Sequence, residues 1–577
     1  MPLLLILVII LPLAGAGGTL GLSLVPRVRS YTRYIALAAA GFTAILILRF
    51  MWMEPVTVIP ALWQPSLLFG ATLTLHTDVT MQPLALTLAL ITCSAILVEL
   101  SRTEGSHPRL LATLLALLAA GLAALWAANL LTMIISWAVY DLLQAAGRIA
   151  AGGSGRTATR GLIFGNLATL FLWAGALLPD DGAGSELWSL MTCSSAQLTL
   201  WAVAGILRLW VYPLHLAAPD DLDAAPSLAT PLLLGPIVGW GLWLRLAAAN
   251  GGPIPGGAWV LPLAAVTLAV GGFLAWSCAS HRRMLPWVGM GMTGAVLLAA
   301  GLAGKSGATV IAAGSVASFS ILSGSNLFAS LCACGIDALQ AGHPNGFTRQ
   351  GIRCRNRPNR SVVKEYTNHS TGAWLKQQVQ RLGWGGTFFV GYLFLVASLM
   401  RWLLTSPLQR LEWGGAFFVG HLFLVASLVR GLLTSPSPPL PNRRWLLMAR
   451  GVGLGLPALL LIVIGLHPPL PIRSVPTPTP GPLFTVPGVA SWLLWAISLA
   501  GGTVLAWQEG SLRPKIELLL SAAHDLLRLE WLYGAVVGAL DRGLSALRAA
   551  DEIVGGAGAL LWSWLLFLLL ILVWSSK

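Results

Sequence analysis

Four side chains carry chemistry that their surroundings make costly: Asp141 in LLTMIISWAVYDLLQAAG, Arg208 and His215 in GILRLWVYPLHLAAPDDLDAAPS (205–227), and His421 in FFVGHLFLVASL. A charge at mid-bilayer depth costs at least about 2.5–3.5 kcal/mol on the insertion scale, so it pairs, lines a wet path or sits near the interface. An Asp141/Arg208 pair would cancel two such charges; the alternative for Asp141 is a place at the cytoplasmic edge of its span. Histidine titrates near neutral pH, which suits His215 and His421 to proton transfer. A packed or interfacial ring is the competing reading of His421. Arginine stays protonated at accessible pH, so Arg208 can bias its neighbours but not relay a proton.

Prolines sit beside these groups. Pro213 has no N–H and clashes with the carbonyl four residues back, that of Leu209, next to Arg208. Pro231 and Pro236 interrupt the following apolar run. Broken helices at membrane depth occur where backbone is buried in protein or lines water, and they mark ion sites in transporters, although proline also occurs in packed membrane helices. A third kind of chemistry is offered by Asp220, Asp221 and Asp223, an acid cluster able to bind a metal for a diphosphate substrate. Such a site needs a second acidic motif on the same face, and loop parity puts Asp180 and Asp181 on the opposite one.

The elements that must hold these groups follow from composition. Of 577 residues 56% are hydrophobic and 10% charged, with a mean hydropathy of +0.78; a soluble chain is about 25% charged. The apolar residues come in runs of about 20, the length that crosses a hydrocarbon core of roughly 30 Å. The expected fold is an all-α polytopic integral membrane protein of about 14–16 transmembrane helices, some broken. The first run, 1–25, reads as a retained helix rather than a signal peptide, because no basic segment precedes it. Tryptophans are expected at the membrane–water interfaces. The net charge of +14 would suggest nucleic acid in a soluble protein; here it fits basic loops, and no nucleic-acid partner is expected. Six cysteines without a CxxC pair read as packing thiols, so no metal and no cofactor is expected.

Loop charge alternates. Arg27, Arg29 and Arg33 fill the first connection, Arg102 and Arg109 flank the third, Arg148, Arg156 and Arg160 fill the fifth, and Arg282 and Arg283 mark the ninth. The even ones between them are uncharged or acidic. The positive-inside rule then places the odd loops in the cytoplasm and the N-terminus outside, most simply in a bacterial inner membrane.

Four regions follow. Residues 1–335 form a transmembrane core. Residues 336–381, with eight Lys/Arg, read as a basic cytoplasmic loop or an insertion. Residues 382–507 hold further spans and a tandem duplication, in which RLGWGGTFFVGYLFLVASLMRWLLTSP (381–407) recurs as RLEWGGAFFVGHLFLVASLVRGLLTSP (410–436). Residues 508–577 hold a last span and, before it, an amphipathic helix over 512–553. There Ile516, Leu519, Leu520, Ala523, Leu526 and Leu527 share one face, so the helix should lie along the bilayer or a partner.

The order Arg208-x4-Pro213-Leu214-His215, Pro219-Asp220, Ala225-Pro226-Ser227 resembles the Lys-x4-Pro-x-His…Leu-Pro-Asp-Ala…Ala-Pro-Thr signature of the proton-antiporter-like membrane subunits. These are the large antiporter-like subunits of respiratory complex I, of membrane-bound hydrogenases and of multisubunit cation/proton antiporters. Ser280 to Leu285 is similar to the family's Leu-Lys-Arg-Leu-Leu-Ala-Tyr-Ser segment, and Asp78 falls in a stretch like the entry to its third span. Asp141 stands where the family carries a glutamate, and 512–553 resembles its lateral helix. Three departures stand out: arginine replaces the seventh-span lysine, the eighth-span ionisable group has no counterpart, and the later lysine or glutamate falls on Tyr392 or His421.

The resemblance implies a proton- or cation-translocating subunit of a complex I-like NADH-quinone oxidoreductase or antiporter complex, with other membrane subunits and the lipid bilayer as partners and no redox centre of its own. The implied pathway residues are Asp141, Arg208, His215 and His421. A diverged, non-conducting scaffold subunit and the acid-cluster membrane enzyme are the alternatives.

Overall fold

The computed structural model describes residues 2–50, 53–59, 72–77, 81–100, 107–178, 193–219, 221, 227–249, 257–278, 281–303, 410–434, 444–446, 448–453, 455, 486–555, 563–564, 566–569 and 571. The basic segment 336–381, the first copy of the duplication with Tyr392, and Asp78, Asp180, Asp181, Asp220 and Asp223 lie outside the described residues.

The chain is an all-α polytopic membrane protein, with one short hairpin among the described residues. Its helices are α1 (Pro2–Ser23), α2 (Thr32–Phe50), α3 (Gln82–Leu100), α4 (Pro108–Leu125), α5 (Leu130–Ala150), α6 (Gly155–Ala176) and α7 (Ser195–Arg208). After two 3-10 segments, His215–Ala217 and Ser227–Leu234, come α8 (Gly235–Ala249), α9 (Gly257–Ser277), α10 (His281–Ala303), α11 (Arg410–Thr434), α12 (Val486–Arg528) and α13 (Glu530–Gly555). Among the described residues, Leu3–Ser23, Pro26–Phe50, Pro108–Leu125, Leu130–Ala150 and Trp259–Ser277 are long and apolar enough to cross a membrane. The outward faces are apolar too: Leu7, Ile10 and Leu13 on α1 and Phe42 and Ile45 on α2 are exposed, as lipid-facing side chains are.

Local signals start the helices that matter for the site. Asn129 caps α5 by accepting from Thr132 N at 2.9 Å, and Ser154 caps α6 through Thr157 N. Ser194 and Gln197 form a capping box on α7. The hairpin pairs β1 (Thr57–Val58) with β2 (Leu75–His76), and His76 N donates to Trp126 O beyond the end of α4 at 2.8 Å.

Some of the tryptophans fill the protein interior. Trp126, Trp137, Trp201, Trp240 and Trp243 are fully buried, filling the space between helices. Glycines admit them: a Cβ on Gly205 would lie 2.2 Å from Trp243 Nε1. With lipid outside, indole volume packs the interior as well as the rim.

The chain divides into compact units 1–515 and 516–577. Helix α12 runs for 43 residues, from the end of the region expected to hold further spans into the first part of the amphipathic segment, with Pro514 inside it. The amphipathic segment is not continuous: it breaks at Leu529, whose φ of 57° ends the helical path before α13 begins. Within the second unit Leu518, Leu519, Leu526, Trp531, Val536 and Leu540 are exposed.

Candidate functional site

Helix α7 ends at Arg208, five residues before Pro213. Trp210 turns the chain with φ 54°, in the left-handed region, and Tyr212–Pro213 is a cis peptide. The segment folds back so that Trp210 packs on Ala217 and Ala218 with Phe164 beside them. Pro231 lies inside the second 3-10 segment and Pro236 at the second position of α8, so the next run also begins irregularly.

At the end of α7 the structure brings Arg208 and Asp141 together. Arg208 Nη1 donates to Asp141 Oδ1 at 2.7 Å and Nη2 to Oδ2 at 2.6 Å, a fork-to-fork pair, with both side chains almost wholly buried. Longer contacts of 3.4 Å run from Nη2 to Gly165 O and Thr169 Oγ1, and the guanidinium lies 3.8 Å over the Trp137 ring. Gly165 makes room: a Cβ there would stand 2.4 Å from Asp141 Oδ2. Asp141 is in the protein interior rather than on an exposed edge.

His215 lies in the 3-10 turn beyond the break, 1% exposed. Its ring stacks on Tyr212 at 5.2 Å and meets Trp287 edge-on at 5.4 Å. Tyr212 N donates to Thr267 Oγ1 on α9 at 3.1 Å, tying the broken segment to a spanning helix. His421, on α11, is also buried; its Nδ1 is 2.8 Å from Ser498 Oγ on α12, and its ring stacks on Phe417. Asp221 Oδ2 accepts from Ser154 N and Thr157 Oγ1 at 2.5 Å each, at the start of α6. Partial burial works to raise this carboxyl, but those hydrogen bonds outweigh it and hold the group below its ordinary range. Asp221 therefore braces the Ser154 cap of α6.

The burial of several charged groups was not foreseen from the sequence. Arg148 and Arg160, read there as loop charges, are buried. Arg148 donates from Nη2 to Ala217 O at 2.9 Å and from Nη1 to Thr157 O at 3.2 Å. Arg245, in the eighth apolar run, is buried and donates to Ala124 O and Leu125 O, the last carbonyls of α4. Arg430 and Arg513 meet on Glu509 Oε1, at 2.9 and 2.5 Å, beside the end of α9. Their signal was a charge inside or just beyond an apolar run, masked because helix ends cannot be placed within a turn from sequence.

No family model and no curated protein matches the sequence. Solved structures do match the fold. A chain of the Mrp complex from Dietzia sp. DQ12-45-1b aligns at TM-score 0.68 and 16% identity over 99% of this chain and 63% of that one, so this chain spans less than two thirds of its length. A chain of the membrane-bound sulfane sulfur reductase, an archaeal respiratory membrane complex, aligns at TM-score 0.58 and 16% identity over 99% of both. A chain of respiratory complex I from Thermus thermophilus, at TM-score 0.46 and 17% identity over 86% of this chain and 98% of that one, is too distant to add weight. The chain shares the helical, polytopic fold of the matched chains of the Mrp complex and the sulfane sulfur reductase, at 16% sequence identity to each.

Proposed function

We propose that this chain is a proton- or cation-translocating subunit of a complex I-like NADH-quinone oxidoreductase or a related antiporter complex. The observation that carries the reading is the buried Asp141–Arg208 pair at the end of a helix that breaks. A buried pair of this kind gives little net stability over an apolar substitute, which favours a functional reason for keeping it. In this reading Arg208 is a fixed charge, Asp141 its counter-ion, and His215 or His421 takes up and releases the proton. The chain supplies no redox chemistry; partner subunits would. Residues 1–335 would be the conducting core, and the apolar side chains exposed over 516–544 would face a neighbouring subunit. The cell location that fits is a bacterial inner membrane, with the N-terminus outside.

The test is proton uptake per turnover in vesicles carrying the whole complex. His215→Ala or His421→Ala should lower it, and Arg208→Lys should preserve or raise it. An unchanged ratio in both histidine variants would defeat the reading.

One observation favours a scaffold without conduction. Both Asp141 oxygens are held by an arginine that keeps its proton, and both histidines are packed against aromatic rings. A scaffold would leave the proton ratio unchanged in every variant, while Arg208→Ala would still impair assembly. The acid-cluster enzyme gains no support from Asp221, whose Oδ2 is committed to the start of α6.

A further inference from the structure

Helices α11 and α12 are joined by polar contacts at two levels. His421 meets Ser498 at one, and Arg430 meets Glu509 at the other. Nine residues separate the two levels on α11 and eleven on α12, about 14 and 17 Å at 1.5 Å per residue, so both contacts report one parallel register. Between them the helices touch through small residues, Gly501 and Gly502 against Leu422 and Val425. The glycines let the two backbones approach closely, and the polar pairs add a charge requirement to that packing. Glu509 Oε1 accepts from Arg430 and from Arg513, and the same arginines donate to Trp276 O at 2.7 Å and Ser277 O at 3.0 Å at the end of α9. Moving α12 by one turn would strip Glu509 from Arg430 in a buried place.

The upper contact carries chemical information. Ser498 Oγ has one hydrogen, and it lies 2.8 Å from Trp495 O, which can only accept. Given to Trp495, that hydrogen leaves the Ser498 oxygen to accept from His421 Nδ1–H. A neutral ring with its hydrogen on Nδ1 takes up its next proton at Nε2.

We propose that Ser498 and Glu509 are positioning residues for His421. Glu509, through Arg430, sets α12 on α11, and Ser498, so placed, holds the ring in the Nδ1–H form with Nε2 as the proton acceptor. Only the consequence for transport rests on the function proposed above.

The experiment uses the full chain in its assembled complex, in lipid vesicles, with carbon-13 and nitrogen-15 in the histidine rings. The His421 signal is the one that His421→Gln removes from the nine histidines. The native signal should show the Nδ1–H form, Ser498→Ala and Glu509→Gln should lose it, and Glu509→Asp, which keeps the charge, should retain it. If Glu509→Gln does not assemble, the Arg430→Gln/Glu509→Gln double variant removes the same clasp without stranding Arg430, and Arg513, which is partly exposed, keeps its bond to Ser277 O. An Nε2–H native ring, or an Nδ1–H signal unchanged in Ser498→Ala and in the clasp variant, overturns the proposal. Proton uptake per turnover should fall several-fold in Ser498→Ala. A changed ring with an unchanged proton ratio upholds the positioning and instead sinks the reading of His421 as carrier.

Discussion

Arg148 stands two helical turns after Asp141 on α5, and both are buried, so the Asp141 carboxylate is bonded to one arginine and lies in the field of a second. Buried Arg160 extends the cluster. Asp141 thus answers to two arginines, Arg208 by contact and Arg148 through its field, and its loss should hurt more than the loss of Arg208.

That asymmetry is measurable. Removing one member of a buried ion pair costs about 3–5 kcal/mol. Asp141→Asn leaves Arg208 facing Arg148 without a counter-ion, whereas Arg208→Gln leaves Asp141 still opposed by Arg148. Thermal unfolding of the detergent-solubilised protein should rank Asp141→Asn as the more damaging change. The double variant should be milder than the sum of the singles; strict additivity would mean that the pair is not coupled.

Gly165 offers a steric probe of the same pair. An alanine there places its Cβ 2.4 Å from Asp141 Oδ2, so the carboxylate must move off Arg208. The loss of stability should approach that of Arg208→Gln. Gly41 on α2 has open space around a built Cβ, and Gly41→Ala should be neutral or stabilising by up to about 1 kcal/mol. Equal effects from the two substitutions would show that Gly165 does not define the site.

Asp221 makes a pH prediction outside the membrane-spanning segments. Its folded carboxyl is held below the ordinary range, so the ionised form stabilises the fold. That contribution is fully present above the unfolded value of about 3.9 and is lost as pH falls through the lower folded value. Asp221→Asn should therefore reduce stability at neutral pH, and the gap from the native protein should close on acidification. A gap that widens toward low pH would contradict the sign.

The fold was legible because span length and hydropathy depend on composition alone: the run holding α5 is long and apolar enough to cross a membrane. The charges were harder. Asp141 and Arg208 stood out inside apolar runs, since a lone charge there needs a reason. Arg148 and Arg160 did not, because an arginine near a loop satisfies the positive-inside pattern whether it points to water or between helices. Glu509 was hidden in a helix whose two halves differ in polarity: the sequence separates a span from an amphipathic segment, but α12 carries backbone hydrogen bonding through both. Pairings such as Arg430 with Glu509, 79 residues apart, exist only once the helices are packed.

The last prediction concerns what holds the broken segment in place. Arg148 bridges the first turn of α6, through Thr157 O, and the turn that carries His215, through Ala217 O. A planar fork reaches both carbonyls at once; a lysine keeps the charge but is a single point. A hydrogen bond to a charged group is worth about 1.5–3 kcal/mol, which corresponds to roughly tenfold to hundredfold faster local opening when it is lost. Hydrogen exchange should therefore speed up for the amide of Ala218, which donates to His215 O at 2.8 Å, in Arg148→Gln. Arg148→Lys should fall between that variant and the native protein. Amides of α4, which Arg148 does not bond, should keep their rates. Uniform acceleration across both regions would mean that Arg148 supports the whole core rather than this strap, and unchanged exchange at Ala218 would remove it from the site altogether.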